Sequence, residues 1–278
     1  MSIALSYCAQ LVREQAPDRY LATLFAPSAA RPALFGLYAF DHEITKVHHV
    51  VSQPIAGLIR FQWWRDALDA IAADRPAPVH PVAEGLQNAW RRFQIPRARL
   101  DAAIDARERE LEGDPPATLE QLEQHLEATS SSMVLAALEV LGARDEPTID
   151  VGRRVGLAIG LADLLREIDV HRERALFLPK DLLDRHGMSP ADLSKATTSQ
   201  AFAPMIGELA RRARDHLRQA RRHRRMIPKR ALPALLPGTL VGDRLERLYS
   251  LGGKTDGRSP APPLAPLKLL GYRALGIF

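Results

Sequence analysis

Asp163, Glu167 and His171 stand four residues apart and carry donor atoms of the kind that hold a metal ion. Steps of four return to one face of a helix, so the three project together. Carboxylates combined with imidazole suit Zn, Fe or Ni better than Mg²⁺, which seeks oxygen ligands. Arg166, Arg172 and Arg174 stand beside them, which makes a salt-bridge face the plainer reading. A second group, Lys46 with His42 and His49, offers positive and titratable nitrogen to an anion such as a diphosphate. A solvated or partner-facing patch is the alternative. The ammonium of Lys46 repels a divalent cation. Glu43 does not offset this at Thr45, because two residues place it about 200° around a helix, on another face. Asp101 and Asp105 also stand four apart, but the alternating charges of Arg107-Glu108-Arg109-Glu110 follow them, so this reads as a solvated helix face.

The elements that must position these groups read as helices. Leu34, Leu37, Tyr38 and Phe40, with Ile44 and Val47 beyond, follow the spacing of a buried helical stripe. Leu58, Phe61, Trp64, Leu68 and Ile71 repeat it. So do Leu119, Leu122, Leu126, Met133, Leu138 and Leu141, and then Val155, Ile159, Ala162, Leu165 and Ile168. No run alternates as a strand would. Breaks are predicted at Asp74 to Pro78, Gln94 to Pro96, Gly113 to Pro116, and Gly142 to Pro147. Thr118 with Gln121 three residues later predicts a capping box, and Ser189-Pro190 and Ile227-Pro228 predict helix starts. The expectation is one helical domain over 1–251. A flexible connector, Gly252 to Pro260, and a C-terminal helical segment complete residues 252–278.

Composition narrows the classes. Hydrophobic content of 46% with 26% charged residues is ordinary for a globular chain of 278 residues. The single cysteine, Cys8, excludes an internal disulfide and reads as a packed helix residue, which suits a reducing compartment. The N-terminal residues do not read as a secretory signal, and no stretch approaches the ~18 apolar residues of a membrane span. The expected location is therefore the cytoplasm, with peripheral attachment at the inner face of the cytoplasmic membrane as a further step. The net charge of +5 gathers between Gly207 and Arg230, where ten Lys/Arg face only Glu208 and Asp215. Ile206, Leu209, Ala213, Leu217 and Ala220 form the apolar stripe of that helix, leaving the arginines to meet anionic lipid, an acidic protein or water. Nucleic acid ranks last, because no binding motif or interleaved aromatics accompany the charge. The final segment, Leu264 to Phe278, is too short to span a bilayer and either docks on the body or lies on a membrane.

Several blocks, taken in order, resemble the squalene/phytoene synthase family across most of the chain. Leu37-Tyr38-Ala39-Phe40 is similar to the lead-in of its first aspartate-rich motif, and Phe61 to Leu68 to the Trp-Arg helix after it. Gly160 to Glu167 is similar to the second motif and Leu176-Phe177-Leu178-Pro179 to the turn beyond. The resemblance implies an all-α isoprenoid-synthase-type bundle around a central cavity. It makes Tyr38, His42, Asp163 and Arg166 substrate-binding candidates. It also makes Thr45, Lys46 and His49 the first-motif positions and Glu167 and His171 the second-motif pair, where the enzymes carry aspartates that hold Mg²⁺.

The chain resembles most closely a degenerate branch of that family, the assembly factors of respiratory complex I. It shares with that branch Tyr7-Cys8-Ala9, Ala128 to Ser132, Phe177-Leu178-Pro179 and Pro228 to Leu236. That resemblance implies no catalysis and no cofactor, with a complex I subunit or assembly intermediate as partner. An anionic membrane surface and a prenyl lipid stand as further partners. Prenyl transfer with Mg²⁺, on prenyl diphosphates, is the alternative. It requires metal charge on a departing diphosphate, which Lys46 opposes.

Overall fold

The computed structural model describes residues 3–51, 53–170, 178–189, 203–250 and 264–278, with the backbone alone at 3–6, 167–170 and 247–250. The early helices are α1 (Ile3–Gln15), α2 (Pro17–Thr23), α3 (Arg31–Thr45), α4 (Val47–Val50), α5 (Pro54–Ala72), α6 (Pro81–Phe93) and α7 (Arg97–Arg109). Then come α8 (Leu119–Leu126), α9 (Ser132–Val140), α10 (Glu146–Val170), α11 (Lys180–Arg185) and α12 (Ala203–Arg222). The last are α13 (Leu232–Leu235), α14 (Val241–Ser250) and α15 (Ala265–Leu275). No strand occurs among the described residues.

Local chemistry accounts for most boundaries. Proline occupies the first turn of α2, α3, α5 and α6, where its missing N–H has no partner to lose. All four predicted breaks coincide with left-handed backbone, at Asp74 (φ 52), Gln94 (φ 51), Gly113 (φ 76) and Gly142 (φ 69). Thr118 caps α8 by accepting the Gln121 N–H at 3.2 Å. The return bond differs from the expected box: Gln121 accepts from the Ala117 N–H at 2.8 Å, one residue before the cap. Pro228 differs too, standing as the cap of a short 3₁₀ turn, Lys229–Ala231, rather than opening an α-helix. The start expected at Ser189-Pro190 lies at the edge of the described residues, with Pro190 outside them.

Two long helices organise the core. α10 runs along α12 and crosses α8, α9 and α14, while α3 packs between α1, α6 and α9. Leu34, Leu37, Phe40 and Ile44 on α3 are fully buried, as are Phe61, Leu68 and Ile71 on α5, so the stripes predicted there face inward. Burying each such side chain stabilises the fold by about 1.5–3 kcal/mol. Phe40 also meets Trp64 edge-on, ring centroids 5.2 Å apart. Leu58 departs from its predicted stripe and is 39% exposed. Ile206, Leu209, Ala213, Leu217 and Ala220 of α12 are all buried, as expected. α15 docks on the body through Ala265 and Leu269, against Ala22, Leu236 and Leu240.

Between α8 and α9 the chain makes a π turn, Glu127–Ser131, inside what the periodicity presents as one helical stretch. Gly156 of α10 lies against it. A Cβ at Gly156 would stand 2.3 Å from the Ser131 Cα, so α10 reaches the turn only because this residue has no side chain. Gly156→Ala is expected to destabilise the protein by about 1–3 kcal/mol or more, read as a lower urea midpoint. Gly242→Ala, where the added methyl meets nothing within 4 Å, should be neutral or stabilising.

Candidate functional site

The helix carrying the first-motif positions is interrupted where a metal cluster would need it whole. α3 ends at Thr45, Lys46 caps it with its N–H on the His42 carbonyl at 2.9 Å, and α4 restarts at Val47 with His48 and His49. The Lys46 ammonium lies 2.5 Å from Glu43 Oε1, and Glu43 is buried. Three residues separate the pair, which brings them onto one helix face. Lys46 thus carries its own counter-charge three residues away, with about a third of its side chain still exposed. His42 carries an imidazole pushed below its ordinary range by burial and by the neighbouring Lys46, so it is neutral at pH 7. Thr45 is partly exposed and His49 exposed.

Across from α3, the second-motif helix meets a group of charges from three other elements. Arg244 of α14 donates to Asp163 Oδ1 at 3.0 Å and also pairs with Asp18 of α2, which is buried. Arg166 lies 3.8 Å from the same Asp163 oxygen. Arg19 of α2 pairs with Asp41 of α3, its guanidinium carbon 5.1 Å from the Tyr38 ring centroid. Burial pushes the Tyr38 phenol up to about 12. Burial alone would also raise the Asp163 carboxyl, but Arg244, Arg166, Arg19 and Arg107 together hold it below the usual carboxylate range. Arg19 and Arg244 are held charged against the pull of burial by these carboxylates.

Of the sequence candidates, Tyr38, Asp163 and Arg166 therefore join one network, with Asp18, Arg19, Asp41 and Arg244 as members the sequence did not mark. The Glu167 side chain and all of His171 lie outside the described residues.

A second cluster corrects a further expectation. Glu110, read from its alternating-charge run as solvated, is buried at the end of α7. Its Oε1 lies 2.8 Å from His125 Nε2 and 2.7 Å from Arg107 Nη1. Its Oε2 lies 2.8 Å from His48 Nε2, which also stands 2.8 Å from the Arg107 carbonyl. Two acceptors around one imidazole nitrogen require that nitrogen to carry the proton. Burial opposes ionisation of Glu110, yet Arg107, His125 and His48 hold its carboxyl well below the usual range. Asp101 and Asp105 do face solvent as ion-pair partners, of Arg97 at 3.0 Å and Arg65 at 2.7 Å. Cys8 is buried as expected, its thiol pushed up to about 12 by burial and so unreactive.

Among the described residues the donor set does not fit Mg²⁺. The three first-motif positions offer a hydroxyl, an ammonium and an imidazole, and Asp163 is taken by two arginines. Among the described residues no group of three His, Cys, Asp or Glu side chains is placed to hold a metal ion.

Residues 12–265 match the squalene/phytoene synthase family. The chain is 33% identical over 246 residues to the Bos taurus protein named NADH dehydrogenase (ubiquinone) complex I, assembly factor 6, covering 88% of this chain and 74% of that protein. It is 26% identical over 252 residues to presqualene diphosphate synthase of Rhodopseudomonas palustris, covering 90% and 87%. Its fold superposes on a crystal structure of a dehydrosqualene synthase in complex with ligand with a TM-score of 0.83, at 17% identity, over 98% of this chain and 95% of the other. The all-α isoprenoid-synthase fold expected from the sequence is therefore the fold observed.

Two outcomes follow from the buried charges. Glu110 is depressed from 4.5 when folded, so below pH ~4.5 the unfolded chain binds the extra proton and stability falls as pH falls. Denaturation midpoints from pH 7 to 3 should drop steeply in the wild type below that point; Glu110→Gln should start lower at pH 7 and show a flatter slope. Arg244→Leu should cost about 3–5 kcal/mol at neutral pH by leaving the buried Asp18 unmatched and Asp163 with Arg166 alone, and adding Asp18→Asn should restore part of the loss.

Proposed function

We propose that this chain, which belongs to the squalene/phytoene synthase family, assists the assembly of respiratory complex I and does so without prenyl transfer. The observation that carries the reading is the Lys46–Glu43 pair at the first motif. Head-to-head prenyl condensation must stabilise a departing diphosphate, which takes several positive charges delivered by metal ions and free to meet it. Here the first motif offers an ammonium already matched to its own glutamate. On the opposite side Arg244 and Arg166 are engaged with Asp163. The similarity to complex I assembly factor 6 supports the same reading.

On this reading the bundle serves as a binding body. Its partner is a complex I subunit or assembly intermediate, and it works at the inner face of the cytoplasmic membrane. Prenyl transfer is the second reading, favoured by the 26% identity to presqualene diphosphate synthase and opposed by the donor set. Binding of a prenyl lipid without turnover is the intermediate case.

Deleting the gene is expected to lower NADH:quinone reductase activity and assembled complex I in membranes. Wild type and the Glu167→Ala, His171→Ala double variant should both restore them. Purified protein with Mg²⁺ and a prenyl diphosphate should release no diphosphate. Unchanged complex I in the deletion strain would overturn the assembly reading. Diphosphate release that disappears in the double variant, together with a condensed prenyl product rather than a prenyl alcohol, would establish prenyl transfer.

A further inference from the structure

The end of α12 and the turn after it form a concentrated positive surface. From His216 to Gly242 the sequence contains no Asp or Glu. Arg222, Arg224, Arg225 and Lys229 are exposed, and among the described residues none of them has an acidic partner. In their midst, on the 3₁₀ turn Arg224–Met226, Met226 is 59% exposed. An apolar side chain held out among arginines gains nothing from water.

The neighbouring segment supplies the apolar counterpart. Arg221 donates from Nε to the Phe278 carbonyl at 2.8 Å, which brings the residues after α15 against the end of α12. α15 turns Ala265 and Leu269 inward, but its outer face holds Leu267 (66% exposed), Leu270 (56%) and Leu275 (74%). A helix docked on a globular body ordinarily turns polar residues outward. Residues 264–278 contain no acidic side chain; their charges are Lys268, paired with Asp243 at 2.6 Å, and Arg273.

We infer that the arginine-rich end of α12 and the outward leucine face of α15 form one docking surface for an anionic lipid bilayer. Basic groups at headgroup level beside aliphatic side chains that enter the acyl boundary are what an interfacial helix presents. A protein partner is the weaker match, because protein interfaces are enriched in aromatics and the exposed apolar side chains here, Met226, Leu267, Leu270 and Leu275, include none. The inference specifies the membrane-face location proposed above. It is testable without complex I.

The full chain would be floated with phosphatidylglycerol/phosphatidylcholine vesicles and with phosphatidylcholine alone. Binding is expected to the anionic vesicles only, weakening more than tenfold between low and high salt. Arg222→Ser with Arg224→Ser and Arg225→Ser should weaken it roughly 100-fold, each cation contributing about fivefold. Leu267→Gln with Leu270→Gln should weaken it too and make the remainder more salt-sensitive. All five positions are exposed, so thermal midpoints near wild type will confirm that the variants fold. Absence of binding to anionic vesicles at low salt, or variants that bind as wild type does, would overturn the inference while leaving the assembly reading intact. If wild type ignores vesicles but the arginine variant fails to restore complex I, the surface meets an acidic protein instead, and the lipid inference falls.

Discussion

A charge removed from water must be matched nearby, and the contact between the two halves of this bundle is built around that requirement. Asp18 is buried on α2, and its partner Arg244 arrives from α14, 226 residues later in sequence. Arg244 also holds Asp163 on α10, while Arg19, the residue after Asp18, holds Asp41 on α3. Four helices are therefore registered by two adjacent residues of one short helix. Taking away one member leaves the others charged and poorly hydrated. Such a network is weak evidence of high stability, but it fixes which helix turns stand opposite one another.

Glu110 repeats the principle at the far end of the motif helix. It gathers His48 from α4, His125 from α8 and Arg107 from α7 onto one carboxylate. The break after Thr45 is thereby held from both sides: Lys46 is tied back to Glu43, and His48 is tied across to the end of α7. The segment is therefore a structural joint between α3, α4 and α7.

What the sequence made legible was what depends on near neighbours. The stripes of α3 and α12, the breaks at Asp74, Gln94 and Gly113, and the Thr118 cap follow from periodicity and local turn chemistry, and all are present. The exposure of Leu58 was not legible, since spacing shows which face a residue takes but not whether another helix covers it. The π turn was hidden because its one additional residue scarcely disturbs an apolar pattern. Glu110 was misread for a similar reason: alternating charge describes a solvated face until distant histidines converge on it. The Lys46–Glu43 pair was not legible either, since sequence alone does not show which of several nearby charges a long side chain takes.

The Lys46–Glu43 pair also limits what position 46 can become. A carboxylate placed there would stand beside Glu43, and like charges three residues apart on a helix repel. Such a change would thus cost stability before any ion could be held, and positions 45 and 49 would still lack ligands suited to a hard cation. A metal site at this joint would need substitution at 43 as well as at 45, 46 and 49, so no single exchange moves the segment toward one.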